Sequence, residues 1–249
     1  MALIWKKQTK NAVYELRSAG SSLRLYTNNV FHTQYSPKNS LTGHVWDLLM
    51  LPAFFYQPGE IKRVLVLGVG GGAVLQLLKE FSGPDKITGI ELNPVHLYVA
   101  RKFFNLKGKD IQLYQADAVS WLKSYKGEKF DMIIDDLFYE EDGEPLPVTK
   151  ANGIWFTDML KHLSREGVIV RNFLSKDELM QSAGLRHKSV SHRFKSVFQL
   201  GSCLDENFVG VFLRRKVTAR LLRKRLMETP GLNPALKTSR LRYRIRCLK

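Results

Sequence analysis

The sequence predicts a doubly wound α/β sheet, preceded by a small N-terminal β meander and completed by a C-terminal antiparallel strand pair. Short, continuously apolar runs such as Val64–Leu67 are typical of strands that a parallel sheet buries on both faces. Five such runs alternate with helical segments, and right-handed crossovers arrange this alternation as a doubly wound sheet. Residues 10–35 instead form short alternating segments separated by turn residues, which predicts the meander.

The other elements are predicted from local signals. Asn93 is a favourable N-cap and Pro94 suits the first helical position, so a helix is expected over about residues 94–104. Residues 41–55 have helical periodicity, and residues 137–150 are expected to form an acidic loop that contains prolines. Further strands are predicted at Ile87–Ile90, Ile111–Tyr114, Phe130–Ile134, Val168–Asn172, Val197–Leu200 and Phe208–Leu213, and further helices at Ala73–Phe81, Ala118–Tyr125 and Gly153–Leu163.

Length and composition favour one α/β domain with small additions. The 249 residues are 44% hydrophobic and 25% charged, which is ordinary for a globular protein. We expect a meander and helix over 1–58, the sheet domain over 59–215 and a basic tail over 216–249. No apolar run approaches the roughly 18 residues of a membrane span, and the first residues are too short an apolar stretch for a signal peptide. Cys203 and Cys247 fit no metal spacing, so a reducing, cytoplasmic location is expected.

The net charge of +16 is concentrated near the C-terminus. Thirteen of the 39 Lys and Arg residues lie in 214–249, where Glu228 is the one acid. This pattern is compatible with a solvated basic helix and tail, or with an arm that binds nucleic acid or another polyanion.

A glycine-rich loop follows the first buried strand. Small residues at Gly68, Gly70 and Gly72 let a ligand approach the backbone, and the next helix offers free N–H groups at its start. Glu91 ends the second strand, where a carboxylate can accept hydrogen bonds from two ribose hydroxyls. Because no basic residue adjoins Glu91, a 2′-phosphorylated cofactor is disfavoured, while the loop alone leaves a dinucleotide site open.

Asp117 stands just past the third strand. A carboxylate here can accept a hydrogen bond from the amine of an adenine ring, with backbone N–H groups such as that of Ala118 reading the ring nitrogens. It can also cap the following helix, and the two roles are compatible.

These motifs together resemble those of a known superfamily. Val64–Gly72, Ile90–Pro94 and Ala116–Ala118 are similar, in order, to the first motifs of class I methyltransferases. Phe130–Asp136 and the meander extend the resemblance to the spermidine synthase branch, over about residues 10–215. The resemblance implies a Rossmann-like methyltransferase sheet and a transferase that uses S-adenosylmethionine, or decarboxylated S-adenosylmethionine, without a metal.

The resemblance also implies roles for individual residues. Asp136 matches the position of the family's catalytic carboxylate, which would orient or deprotonate an acceptor amine as it attacks the carbon on sulfonium. Because the sulfonium is already activated, proximity and alignment would supply most of the rate. The cofactor contacts expected are Gly68, Gly70, Gly72, Glu91, Leu92, Asp117, Ala118 and Asp135.

The sequence departs from the spermidine synthases on the aminopropyl and polyamine side. The family's aspartate in the glycine loop is Gly71 here, its second acid after the fourth strand is Tyr139, and its glutamine after the meander turn is His32. Glu140 and Glu141 begin an acidic stretch, 140–144, that would attract a cationic acceptor such as a polyamine or a lysine side chain. His32, Tyr139, Glu140 and Glu141 are therefore the predicted acceptor-side residues.

Several functions remain open on these grounds. The leading hypothesis is a spermidine-synthase-like methyltransferase with an unknown acceptor, and the alternative is an aminopropyltransferase that makes spermidine or a related polyamine. A non-catalytic module that binds nucleic acid or a partner is the third hypothesis, and an oxidoreductase the fourth. Relatives in the synthase branch make a homodimer an expected assembly.

Overall fold

An eight-stranded, mostly parallel sheet forms the centre of the computed structural model, which describes residues 1–141, 143–202 and 206–249. Asp142 of the predicted acidic stretch and Cys203 therefore lie outside the described residues. The strands of this sheet are β5 (Arg63–Leu67), β6 (Lys86–Glu91), β7 (Ile111–Gln115), β8 (Phe130–Asp135), β11 (Leu163–Phe173), β12 (Ser196–Gly201), β13 (Phe208–Leu213) and β14 (Arg244–Cys247), and their order is β14-β12-β13-β11-β8-β5-β6-β7.

Both faces of the sheet are covered, which explains the continuously apolar strands. In β5, Val64 and Val66 contact one hydrophobic cluster, while Leu65 and Leu67 contact the cluster on the opposite face. The helices are α1 (Val45–Met50), α2 (Ala73–Phe81), α3 (Pro94–Lys102), α4 (Ala118–Ser124), α5 (Gly153–His162), α6 (Lys176–Gln181), α7 (Ala183–Arg186), α8 (Lys188–Ser191) and α9 (Ala219–Glu228). The predicted doubly wound α/β fold is thus confirmed.

An antiparallel meander precedes this sheet, in the order β1 (Leu3–Gln8), β2 (Val13–Ala19), β3 (Ser22–Thr27) and β4 (Val30–Tyr35). The predicted meander is confirmed, and it has one more strand, β1, than residues 10–35 indicate. Asn28 and Asn29 form the β3–β4 turn with positive φ angles of 49° and 66°. Asparagine tolerates this left-handed region better than most residues, so the turn closes without glycine.

Two sequence expectations need correction. The segment predicted as a loop over 137–150 contains an antiparallel hairpin of β9 (Phe138–Glu141) and β10 (Glu144–Pro147). The helical segment 41–55 is shorter, because α1 is followed by a 3-10 turn over Leu51–Phe55 in which Pro52 removes a backbone donor. The predicted C-terminal pair, β12 and β13, is antiparallel as expected.

The basic C-terminal segment is part of the folded core. Leu222 and Leu226 of α9, with Leu232 and Leu241 beyond it, are buried in the same hydrophobic cluster as α1 and α2. β14 then pairs with β12 and becomes the edge strand of the central sheet. Deleting this segment would therefore expose core surface as well as remove charge. Within the described residues, no helix combines the length and the apolar character needed to cross a membrane.

Candidate active site

A cavity of about 480 Å³ opens at the carboxyl ends of β5, β6 and β8. The meander forms one wall through residues of β4, and the β9–β10 hairpin forms another. Ligands of doubly wound sheets bind at this edge, where loops diverge from neighbouring strands. The structure brings most of the sequence-predicted residues into the cavity wall: His32, Gly68, Gly70, Glu91, Leu92, Asp117, Ala118, Asp136, Tyr139 and Glu140.

The glycine loop lets two strand ends meet below the cavity. Gly68 has φ of +83°, and a side chain there would collide with the backbone carbonyl of Asp136. Glycine at this position is therefore required for β5 and β8 to end side by side. Gly72 does not line the cavity; it begins α2 and packs against Leu106, so its role is structural.

Glu91 holds the glycine loop in place. Its Oε2 accepts hydrogen bonds from the backbone N–H groups of Gly70 (2.7 Å) and Val69 (3.1 Å), and its Oε1 accepts from that of Asn93 (2.9 Å). Burial raises the pKa of Glu91, and these N–H donors oppose the shift. Three of the roughly four acceptor positions of this cavity-lining carboxylate are thus occupied, and one on Oε1 is left for a further donor.

His32 lies on the side of the cavity that contains Glu91 and His96. Its ring centroid is 4.8 Å from that of His96, whose Nδ1 is 3.9 Å from Glu91 Oε1 and whose Nε2 is 2.9 Å from Thr27 Oγ1. Burial lowers the pKa of both histidines to about 4, so both are neutral at pH 7. The Nε2 atom of His32 is buried and has no hydrogen-bond partner among the described residues. His32 lines the same cavity as the predicted acceptor-side residues Tyr139 and Glu140, and it is near enough to Glu140 for the charge of each group to affect the pKa of the other.

Asp117 lines the cavity together with Leu92 and Ala118, two other residues predicted to contact the cofactor. The Asp117 carboxylate accepts a hydrogen bond from Ser120 N (2.9 Å), so it caps α4 as the sequence indicated. Hydrogen bonding from the side chain of Ser120, and then from its backbone N–H, lowers the pKa of Asp117. Ala118 is buried against the sheet, whereas Leu92 is 68% exposed at the mouth of the cavity.

Asp136 is the first residue after β8 and ends a chain of three hydrogen-bonded side chains. Its Oδ1 accepts from Asn172 Nδ2 (2.8 Å), and Asn172 Oδ1 accepts from Asn207 Nδ2 (3.0 Å). Burial raises the pKa of Asp136 to about 6. Sequence reasoning assigned no role to Asn172 or Asn207, although Asn172 ends the fifth predicted strand, where cavity residues are expected.

Asp135 differs from its predicted role, because its side chain does not line the cavity. Its Oδ2 accepts hydrogen bonds from Trp155 Nε1 (2.7 Å) and from Arg171 Nη1. The three side chains form an almost fully buried cluster. Arg171 also donates to Thr149, so the pair ties the end of β8 to the segment before α5. Adjacent strand residues face opposite sides of a sheet, and Asp135 therefore points away from Asp136.

The predicted acceptor side is only partly assembled. Glu140 accepts from Asn28 Nδ2 (3.0 Å) and Gly143 N (2.9 Å), which lowers its pKa and links the hairpin to the meander turn. Tyr139 lines the cavity and is 47% exposed, whereas Glu141 is exposed and lies outside it.

An aromatic group next to the meander completes this wall. The rings of Phe31, His44 and Trp46 lie 5.3–5.7 Å apart in edge-on arrangements. Their faces and edges offer an apolar surface that can also accommodate an alkylammonium group.

The charge of the cavity wall is one-sided. Glu91, Asp117, Asp136 and Glu140 line it, and no Lys or Arg of the described residues does. Such a cavity attracts cationic ligands, because low-dielectric walls focus the negative potential. No group of three or more His, Cys, Asp or Glu side chains in the described part of the chain could hold a metal ion.

The chain is similar to a methyltransferase domain family and to curated transferases. Residues 64–166 match the family model of the methyltransferase domain. A polyamine aminopropyltransferase of Chromobacterium violaceum is 28% identical over 141 residues, which is 55% of this chain and 49% of that protein. An eEF1A lysine and N-terminal methyltransferase homolog of Drosophila melanogaster is 23% identical over 189 residues, which is 72% of this chain and 28% of that protein. The chain thus spans about half the length, or less, of these curated relatives.

Solved structures share the fold over most of the chain. Spermidine synthase from Thermotoga maritima is 16% identical, with a TM-score of 0.66 and coverage of 92% of this chain and 78% of that one. Human methyltransferase-like protein 13 in complex with SAH is 19% identical, with a TM-score of 0.55 and coverage of 73% and 86%. Together with the methyltransferase domain match, the added meander and the order of the strands, these likenesses show that the chain has a spermidine synthase-like class I methyltransferase fold.

Proposed function

We propose that the chain is a transferase that uses S-adenosylmethionine, and that it methylates an amine-bearing acceptor. One observation carries the proposal: Gly68, Glu91 and Asp117 line the same cavity as the carboxylate of Asp136. The first three would hold the nucleoside, and Asp136 would accept or orient the proton of the acceptor nitrogen. The nitrogen lone pair would then attack the methyl carbon, and the electrons of the breaking C–S bond would return to sulfur.

Methyl transfer is preferred over aminopropyl transfer because of Gly71. A side chain at this position would collide with Thr33 and Phe104, so the space in which the synthases carry an aspartate is filled. An ammonium group on the tail of decarboxylated S-adenosylmethionine would lack that partner. Tyr139 further removes the family's second acid.

The aminopropyltransferase alternative draws support from a different observation. The four carboxylates of the cavity wall, with no described Lys or Arg among them, favour strongly cationic ligands. Decarboxylated S-adenosylmethionine and putrescine are both of this type, and several relatives carry the name polyamine aminopropyltransferase. The same wall would also suit the lysine side chain of a protein acceptor.

Calorimetric titration of four nucleosides distinguishes the two transfers. The purified chain is titrated with S-adenosylmethionine, S-adenosylhomocysteine, decarboxylated S-adenosylmethionine and methylthioadenosine. We expect the two carboxylate-bearing compounds to bind at least about tenfold more tightly, which is roughly 1.4 kcal/mol of tail recognition. The opposite preference would favour aminopropyl transfer, and no binding of any compound at millimolar concentration would contradict both.

The basic C-terminal segment supports a second proposal, binding of nucleic acid. Arg242, Arg244 and Arg246 are exposed along and beside the edge strand β14, and none forms an ion pair with a described carboxylate. Arginine side chains that are exposed along one edge of a sheet are suited to neutralise phosphates. A non-catalytic module would use this surface alone, whereas an enzyme could use it to hold its acceptor.

We expect replacing these three arginines with glutamine to weaken binding of a duplex oligonucleotide and to flatten its salt dependence. Each lost phosphate contact lowers the slope of log K against log salt by about 0.9. The control is the triple change Lys107→Gln, Lys109→Gln and Lys126→Gln, which removes equal charge from exposed positions outside the C-terminal segment. Equal effects of the two triple variants would mean that net charge alone governs the binding.

Two further expectations stay predictions. A homodimer is compatible with β1, an edge strand of the meander on which Leu3 and Ile4 are 55% and 50% exposed. Sedimentation of the full chain would test it. Cytoplasmic location rests on the sequence alone.

A further inference from the structure

We propose that Asn207 acts through Asn172 as a positioning residue that sets the orientation and the ionisation of Asp136. The proposal rests on the proposed function only where it concerns catalysis. The hydrogen-bond chain itself is testable without any turnover.

The three side chains are linked by two hydrogen bonds whose donors both point towards Asp136. Asn207 Nδ2 donates to Asn172 Oδ1 over 3.0 Å, and Asn172 Nδ2 donates to Asp136 Oδ1 over 2.8 Å. Asn172 is 5% exposed on β11, so water has little access to its amide. All three residues line the cavity, and Asp136 keeps a second oxygen for a ligand.

Only one direction suits an ionised Asp136. A carboxylate can only accept, so Asn172 must turn its NH₂ towards it and its carbonyl towards Asn207. Asn207 must then donate. A protonated Asp136 can instead donate to the Asn172 carbonyl, if both amides turn over so that Asn172 donates to the Asn207 carbonyl. This second arrangement reverses the direction of both hydrogen bonds, and only a protonated Asp136 permits it.

Asn207 is the end at which the direction can be imposed. It is partly exposed, whereas Asn172 is held between its two partners. The other charged groups around Asp136 are Asp135, which is paired with Arg171, and Glu91, which is held by backbone N–H groups. In the hydrogen bonds described, neither carboxylate bonds to the side-chain amide of Asn172 or of Asn207. A change at Asn207 therefore reaches Asp136 chiefly through Asn172.

The test uses Asn207→Leu, which adds no charge and removes the donor. Without that donor, Asn172 can turn its carbonyl to a protonated Asp136 at lower cost. We expect the midpoint of Asp136 titration to rise by about 0.5–1 pH unit, since one neutral hydrogen bond is involved. Asn207→Asp, which can only accept near neutral pH, should raise the midpoint further. Asn207→Ser retains a donor, so we expect the midpoint of Asp136 titration in this variant to lie close to that of the unmodified chain.

The primary readout is the side-chain ¹⁵N–H₂ signals of Asn172 and Asn207 during a pH titration of the full chain. Both signals are expected to titrate with one shared midpoint, and Asp136→Asn should abolish the titration in both. The second readout is the acidic limb of the pH–rate profile, which should move with the same midpoint in each variant.

An Asn207 signal that does not titrate, or an Asn207→Leu midpoint equal to that of the unmodified chain, would overturn the proposal. Failure of the proposed function looks different. In that case the chain would show no transfer, or Asp136→Asn would leave transfer unchanged, while the amide titration of the unmodified chain and its shifted midpoint in Asn207→Leu would still be observed.

Discussion

Asp136→Asn is expected to lower the rate constant of transfer by about 10²–10⁴-fold while leaving donor affinity within a few-fold of the original. The substitution retains the shape of the side chain and removes the base that would accept the acceptor's proton. Because burial raises the pKa of Asp136 to about 6, activity of the unmodified chain should rise with pH through this region. Initial rates over pH 5–8, with donor binding measured separately, test both expectations.

Glu141→Gln provides the matched control for Asp136→Asn. Glu141, the last residue of β9, also carries a carboxylate, but it is exposed and does not line the cavity. We expect this variant to retain nearly full activity. Transfer by Asp136→Asn at more than a tenth of the original rate would show that another group moves the proton.

Glu91→Gln is expected to weaken binding of S-adenosylmethionine by about 10²-fold or more. A hydrogen bond to a charged acceptor contributes about 1.5–3 kcal/mol, and Glu91 would offer the remaining acceptor position of Oε1 to the ribose hydroxyls. The glycine loop would also lose order, because Val69 and Gly70 both donate to the same oxygen. Isothermal calorimetry of donor binding measures the loss directly.

Stability distinguishes lost binding from lost folding in Glu91→Gln. Burial raises the pKa of Glu91, so the folded state binds its proton more tightly than the unfolded state does. The contribution of this group to the free energy of unfolding is therefore largest at low pH and falls as pH rises. We expect no large drop in melting temperature at pH 7. Glu140→Gln serves as a second cavity-wall control, and a donor affinity in Glu91→Gln within threefold of the original would contradict the assignment.

Local sequence signals predicted the elements that carry the residues proposed to bind the nucleoside. Val64–Leu67, the glycines after it, Glu91 and Asp117 are specified by apolar continuity and by position at strand ends. These signals act within a few residues, and parallel strands bring their carboxyl ends to one edge. The cavity, and the presence of Glu91 and Asp117 in its wall, therefore follow from the sequence once the fold class is recognised.

Local sequence signals did not predict the β9–β10 hairpin or the edge strand β14. Glu144–Pro147 contains two prolines and no alternating apolar pattern, yet it pairs with Phe138–Glu141. In the same way, Arg244–Cys247 is too charged to read as a strand, and it forms only because β12 offers a free edge. Partner strands, more than intrinsic preference, determined both elements.

By itself, the sequence determined the doubly wound fold class, the glycine loop and the acids at the strand ends, because each is recorded in a local pattern of apolar runs, glycines and strand-end residues. Only the tertiary structure decided which side chains meet. Asp136 and Asn172 are 36 residues apart and touch because β8 and β11 are adjacent and parallel, and Asn207 joins them because β13 lies beside β11. The same register turns Asp135 towards Arg171, and packing of the meander against α3 sets His32 beside His96. Such meetings depend on strand order and register, which no local pattern records.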